Sequence, residues 1–287
     1  MKIMITGAAG QVGRELSMAL DQHELIALDR EGLDLSQPQA IREMVREQAP
    51  QLIINAAAYT AVDLAESNVA AAFQLNAEAP GILAEEAFSL GIPLIHYSTD
   101  YVFDGSKQAP WSEEDIPHPL GVYGQSKLAG EEAIRRSGCA HLILRTSWVY
   151  ALHGKNFLLT MQRLLSEREH VGVVDDQIGA PTWAGSIAQA TAMLIERWQA
   201  GCAAWGTYHF SCGGSTSWFG FAQAIAAHLA AQGQLKAQLQ PIASSAYPTP
   251  AKRPANSRLD CSKLKNDWQV QLPEWQTALE QCWNSPR

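Results

Sequence analysis

The chain lacks three features, each of which would have pointed to a different class of protein. Its five cysteines, Cys139, Cys202, Cys212, Cys261 and Cys282, are odd in number, far apart and contain no CxxC pair. That argues against a disulfide framework or a zinc site and for reduced cytosolic thiols. There is no run of lysine or arginine, and the formal charge is −8 over 287 residues. With no basic field to hold a phosphodiester backbone, nucleic acid is not an expected partner. No apolar stretch reaches about 18 residues, and the apolar start before the first glycines is too brief for a signal segment. No membrane partner is expected, and the cytoplasm is the default location. An anionic ligand would have to be held by a few local donors, such as a helix N-terminus or single arginines.

What is present is alternation. Residues 2–6, 25–28, 52–55, 93–98 and 141–147 are short apolar runs closed by turn or polar residues, the pattern of buried strands. Helical patterns lie between them at 11–20, 38–48, 65–90 and 123–137. Strand and helix in repetition predict an α/β fold, a doubly wound parallel-sheet Rossmann domain over residues 1–150. Beyond Tyr150 the rhythm breaks into an irregular part, 151–287, expected to be mainly substrate-binding. It has helices near 157–168, 184–198 and 218–232, strands at 171–174 and 207–210, and a Pro-rich stretch at 247–254 before a last helix. The helix near 184–198 could pack back on the first domain.

Gly7, Gly10 and Gly13 follow the first strand and open the first helix, where a dinucleotide pyrophosphate meets helix N–H groups. The spacing is GxxGxxG rather than GxGxxG, so placement carries more weight than pattern. Asp29 ends the second strand, where a carboxylate can accept from adenosine ribose hydroxyls and favour NADH. Arg30 follows it and could pair with a 2′-phosphate, so NADPH stays open. Asp34 and Leu35 are weaker adenine-side candidates, and the small residues after Asn55 would lie beside the cofactor.

Tyr123 and Lys127 open a helical pattern, and a spacing of four puts phenol and ammonium on one face, about 6 Å apart along the axis. Such a pair suits hydride transfer to a ketone, whose oxygen must be protonated as hydride arrives. A neighbouring cation is expected to lower the phenol's pKa of about 10. Thr99, at the carboxyl end of the 93–98 strand, could orient the carbonyl. Trp148 is either core or a hydrophobic face for a deoxysugar. Arg253 and Arg258 are either surface charges or grips on a diphosphate.

Seven stretches in order carry a resemblance over essentially the whole chain: GAAGQVG (7–13), NAAAYTAVDLAE (55–66), HYSTDYVFDG (96–105), VYGQSKLAGE (122–131), LRTSWVY (144–150), DDQIGAPT (175–182) and YPTPAKRPANSRLD (247–260). The chain resembles the extended short-chain dehydrogenase/reductases and, within them, the dTDP-4-dehydrorhamnose reductase family. The resemblance implies NAD(P)H-dependent reduction of the C4 keto group of dTDP-4-dehydro-L-rhamnose, the last step of dTDP-L-rhamnose synthesis for cell-surface polysaccharide. It implies Thr99, Tyr123 and Lys127 as the catalytic trio. It implies Gly10, Gln11, Val12, Asp29, Asp34, Leu35, Ala58, Tyr59, Thr60, Tyr97, Tyr123 and Lys127 as cofactor contacts, and Thr99, Asp100, Tyr123 and Trp148 as sugar-nucleotide contacts.

Some relatives pair as homodimers through metal-linked glutamates. Glu15 matches one such position and would admit Mg2+, but Gly185 stands where a second glutamate would align. Two alternatives accompany this reading: a reductase or epimerase of another nucleotide sugar, and a non-catalytic cofactor-binding subunit like the partners of methionine adenosyltransferase. The intact trio argues against the second, because a binder needs none of it.

Overall fold

The computed structural model describes residues 1–285. The first half holds β1 (Lys2–Thr6), α1 (Gln11–Ala19), β2 (Glu24–Leu28), α2 (Pro38–Gln48), β3 (Leu52–Asn55), α3 (Val62–Ala65), α4 (Val69–Phe73), α5 (Ala79–Leu90), β4 (Leu94–Thr99), α6 (Val122–Ser137) and β5 (His141–Thr146). The second holds β6 (Val149–Tyr150), α7 (Phe157–Glu167), β7 (His170–Val174), β8 (Ile178–Gly179), β9 (Thr182–Trp183), α8 (Ala184–Gln199), β10 (Gly206–His209), β11 (Thr216–Ser217), α9 (Trp218–Ala231), β12 (Gln238–Ile242), α10 (Ser262–Trp268) and α11 (Trp275–Asn284).

Six strands form one sheet in the order β10-β5-β4-β3-β1-β2, and every neighbouring pair is parallel. Side-chain alternation sorts its residues into two cores. Ile3, Ile5, Ile54 and Leu142 face one side with Leu16 of α1 and Ile187 and Leu194 of α8. Met4, Ile53, Leu94 and Ile143 face the other with Ile41 and Val45 of α2 and Leu83 and Ala87 of α5. The sheet continues past residue 150, because β10 joins it beside β5, and α8 packs against α1.

Chain order reverses between β1 and β3, which leaves a crevice at their carboxyl ends where ligands of such sheets bind. Its walls nearly touch: a Cβ on Gly7, whose φ is +73°, would lie 2.6 Å from the Ala57 nitrogen. Only glycine fits there.

The single helix expected over 65–90 is broken. α3 and α4 precede a π-helical turn, Gln74–Glu78, and only then does α5 begin. The extra residue in that turn is where buried Asn76 sits, and its amide bonds elsewhere. The strand β12 pairs with β7 although Pro241, within so short a run, argues against a strand. The expected last helix is two, α10 and α11.

α6 lies close to the segment after β4 and to the π-helical turn because it is thin where it meets them. A Cβ on Gly124 would meet the Tyr101 carbonyl oxygen at 2.2 Å, and one on Gly130 the Asn76 carbonyl at 2.0 Å. Its inward stripe is polar. Buried Glu131 takes Arg145 Nε at 2.8 Å and Nη2 at 2.7 Å from β5, accepts from Ser98 Oγ of β4 at 2.6 Å, and also pairs with Arg135. Burial alone would raise the Glu131 pKa, but the Arg145 hydrogen bonds and charge, with Ser98 and Arg135, hold it below the usual value. The stability this contributes is present above the ordinary carboxylate range and lost as pH falls through the lowered pKa. Removing Arg145 leaves the buried Glu131 charge with only the partly exposed Arg135 to offset it. Arg145→Met is therefore expected to cost about 3–5 kcal/mol in urea denaturation at neutral pH, with the deficit shrinking as Glu131 protonates. A loss under about 1 kcal/mol would mean that the pair behaves as a solvated surface bridge.

Candidate active site

The glycine turn after β1 offers unshielded donors. Gly10 caps α1 with no side-chain hydrogen bond, so the first N–H groups of the helix point out of it without a protein cap. A Cβ on Gly13 would lie 2.2 Å from the Gly7 carbonyl oxygen, which keeps helix and turn close. This cradle fits a pyrophosphate. Gln11 Oε1 accepts from Asn156 Nδ2 at 2.7 Å, tying the turn to the start of α7. Val12 packs on the first core. Ala58, Tyr59 and Thr60 follow β3, and Asn76 clamps this loop, accepting from Tyr59 N at 2.8 Å and donating to Tyr59 O at 3.1 Å.

Asp29 and Arg30 are both exposed at the end of β2. Asp29 Oδ1 accepts from the Glu31 and Gly32 amides of its own turn, each at 3.0 Å. Asp34 does the same for Ser36 N at 3.0 Å, and Leu35 is buried beneath it.

Thr99 ends β4 and Tyr123 begins α6, and the two hydroxyls come together there. Thr99 Oγ1 donates to Asp100 Oδ1 at 3.1 Å and accepts from Tyr101 N at 3.2 Å. The Tyr123 ring packs edge-on against Tyr101 with centroids 5.5 Å apart. Burial pushes the Tyr123 phenol up to about 12, against a lowering hydrogen bond to Thr99 and with a further rise from the Asp100 charge. This corrects the expectation of a phenol lowered by Lys127. The lysine turns instead to β4, bonding Tyr97 O at 2.7 Å and His96 Nε2 at 3.0 Å, and desolvation outweighs any help it gives. Burial lowers Lys127 itself to about 8, opposed by the Glu131 charge.

The arrangement has parallels over its full length. A family model described as "RmlD substrate binding domain" matches residues 1–287. The dTDP-4-dehydrorhamnose reductase of Burkholderia thailandensis is 47% identical, with 98% of each chain covered. That of Escherichia coli K12 is 43% identical, covering 99% of this chain and 97% of its own. A solved Bacillus anthracis dTDP-4-dehydrorhamnose reductase, in complex with NADP, superposes with a TM-score of 0.90 at 34% identity, covering 98% of each chain. The chain belongs to the dTDP-4-dehydrorhamnose reductase family. It is an oxidoreductase built on a Rossmann fold.

Within this reductase fold the remaining candidates divide. Asp100 is buried and its carboxyl is pushed up to about 6 by burial, against hydrogen bonds from Ser257 and Thr99. Its Oδ2 has no partner. Tyr97 lends its carbonyl to Lys127, while its hydroxyl meets Thr191 of α8 at 2.7 Å. Arg253 joins Asp63 at 2.8 Å, and its buried Nη1 is unpartnered. Its charge also reaches Tyr101, beside Tyr123.

Arg258 stands apart. Asn256 Oδ1 and the Gln108 carbonyl hold its guanidinium, and it lines a separate cavity of about 560 Å³ with Ser211, Asp260 and Cys261. None of the trio lines that cavity, so the site is placed by its chemistry.

Trp148 has a φ of +47°, costly for a bulky residue. Stacking on Trp218, with centroids 3.5 Å apart, and contact with Gly179 hold it there. Trp218 was missed from sequence because one tryptophan at a helix start carries no signal. Asn76 was missed because it is one of several polar residues, with Gln74 and Glu78, in an ordinary helical pattern, and His96 because a single polar residue inside an apolar strand reads as an interruption.

Nothing supports Mg2+. Glu15 faces His153 at 3.9 Å, burial raises its pKa against that histidine's pull, and no metal-holding cluster of His, Cys, Asp and Glu occurs among the described residues. No helix among them is long and apolar enough to cross a membrane.

The geometry separates the two helical residues. Tyr123→Phe should retain cofactor binding and lose turnover by about 10²-fold or more. Lys127→Ala should weaken both. Fluorescence titration of the cofactor beside steady-state rates reads the split, and near-normal turnover in Tyr123→Phe would remove the phenol as proton donor.

Proposed function

We propose that this chain reduces the C4 keto group of dTDP-4-dehydro-L-rhamnose to give dTDP-L-rhamnose. The observation that carries the reading is Tyr123 meeting Thr99 at the end of β4, with Lys127 one turn along α6 bonded to the same strand, in a sheet whose β1 leads into the capless glycine turn. NADPH or NADH, when bound, supplies the hydride. The N–H groups of Gln11, Val12 and Gly13 would hold its pyrophosphate, and Lys127 Nζ, with two of its positions spent on β4, would have one direction left for a ribose hydroxyl.

Tyr123 Oη then gives its proton to the C4 oxygen. A phenol with a raised pKa is fully protonated at neutral pH, so the donor is always loaded, and an alkoxide is a stronger base than phenolate, so the transfer runs downhill. Thr99 Oγ1 orients the same oxygen, and Lys127 returns a proton toward the phenolate. Asp100 and Trp148 meet the sugar. Arg253 is the better candidate for the diphosphate, since its buried Nη1 awaits an acceptor, whereas Arg258 has both Nε and Nη2 bonded within its own loops and lines another cavity.

Cofactor choice rests on β2. Half of the Asp29 carboxylate is spent on its own turn, so it weakly opposes a 2′-phosphate that exposed Arg30 can pair with, a charge-assisted contact of about 1.5–3 kcal/mol. Both cofactors should be used, with less than about a hundredfold preference in kcat/KM. Asp29→Ala should move the ratio toward NADPH and Arg30→Ala toward NADH. The test generates the 4-keto-6-deoxy sugar nucleotide in situ, follows the reduced-nicotinamide absorbance with each cofactor, and identifies the product. No consumption with either cofactor would sink the assignment, and ratio shifts of opposite sign would sink the role given to β2.

A further inference from the structure

A buried chain of hydrogen bonds runs behind Lys127, through His96 and Asn55 to Thr6. Thr6 Oγ1 donates to Asn55 Oδ1 at 2.8 Å, and the Ala57 amide donates to the same oxygen at 3.1 Å. A backbone N–H can only donate, so Oδ1 is the acceptor and the amide orientation of Asn55 is settled. Asn55 Nδ2 must therefore donate across 3.0 Å to His96 Nδ1. A neutral imidazole that accepts at Nδ1 carries its proton on Nε2. That N–H points at Lys127 Nζ, 3.0 Å away.

An ammonium has no lone pair to receive it, and an amine has one. All four side chains are buried, so a donor facing a donor there is costly.

We infer that His96, locked by Asn55 as the Nε2–H tautomer, is a positioning residue that sets how readily Lys127 gives up its third proton. His96 touches no reacting atom. It acts through Lys127, and it is no conduit, because the chain ends at the amide of Asn55 and the hydroxyl of Thr6. The other groups around the lysine do not undo this. Glu131, one turn along α6, favours the ammonium, but Arg145 and Arg135 take up its charge. On β4, the Tyr97 hydroxyl is spent on Thr191, while Tyr123 and Asp100 lie toward the substrate end. The lowered pKas of Lys127 and His96 agree with this. A lysine poised in this way is a better acid than a solvated one, which suits a group that must return a proton after each turnover.

The kinetic part of this inference rests on the proposed role of Lys127; the tautomer does not. Long-range 1H–15N spectra of histidine-labelled protein, without cofactor, should show His96 with a proton-bearing Nε2 and a bare Nδ1. A proton on Nδ1, or on both nitrogens, overturns the inference whatever the enzyme's substrate. Asn55→Asp offers an acceptor where the wild type has a donor, so His96 should reverse its tautomer and present a lone pair to the ammonium. In that variant the activity limb lost with rising pH should move alkaline by about one unit or more, a tenfold change in proton affinity. His96→Gln, whose carbonyl oxygen can turn to Lys127, should move it the same way. An unmoved limb in both variants, with turnover intact, overturns the inference while leaving the reductase reading in place.

Discussion

The inward stripe of α6 is the constraint on which the site depends. Tyr123, Lys127, Glu131 and Arg135 follow at intervals of four, so they project from one face of the helix. The face is turned toward β4 and β5, where an apolar stripe would be ordinary. Polar groups in such a place must be satisfied in full. Glu131 is, by Arg145, Ser98 and Arg135, and this buried cluster fixes the rotation of the helix. With α6 locked about its axis, Lys127 can face only β4, and Tyr123, one turn earlier, emerges at the strand end beside Thr99.

The second dependence is close approach. Gly124 and Gly130 let α6 settle against Tyr101 and against the π-helical turn. That turn presents Asn76, whose amide bonds both the Tyr59 loop and Ser126 Oγ, at 3.0 Å, on α6. One side chain therefore ties the loop after β3 to the helix that carries Tyr123. Trp148 shows the same economy, since its left-handed backbone is tolerated because a parallel ring of Trp218 and the absent side chain of Gly179 make room for it.

Local signals in the sequence were enough for the alternating α/β fold, the glycine turn, the Tyr123/Lys127 pair and the strand-end Thr99. Each depends on short-range periodicity or on residues a few positions apart, and physics acts on these before the chain has folded. The resemblance to a reductase family was legible for a related reason: its stretches lie in order along the chain. Tertiary structure alone decided the rest. Which side of the sheet takes α8, that β10 extends the sheet, that Arg253 meets Asp63 while Arg258 turns to another cavity, and that burial raises Tyr123 instead of Lys127 lowering it, all follow from contacts between residues distant in sequence. The tautomer of His96 is the clearest case. It follows from an amide hydrogen on Ala57, a hydroxyl on Thr6 and an asparagine between them, and no pattern along the chain carries the direction of a hydrogen bond.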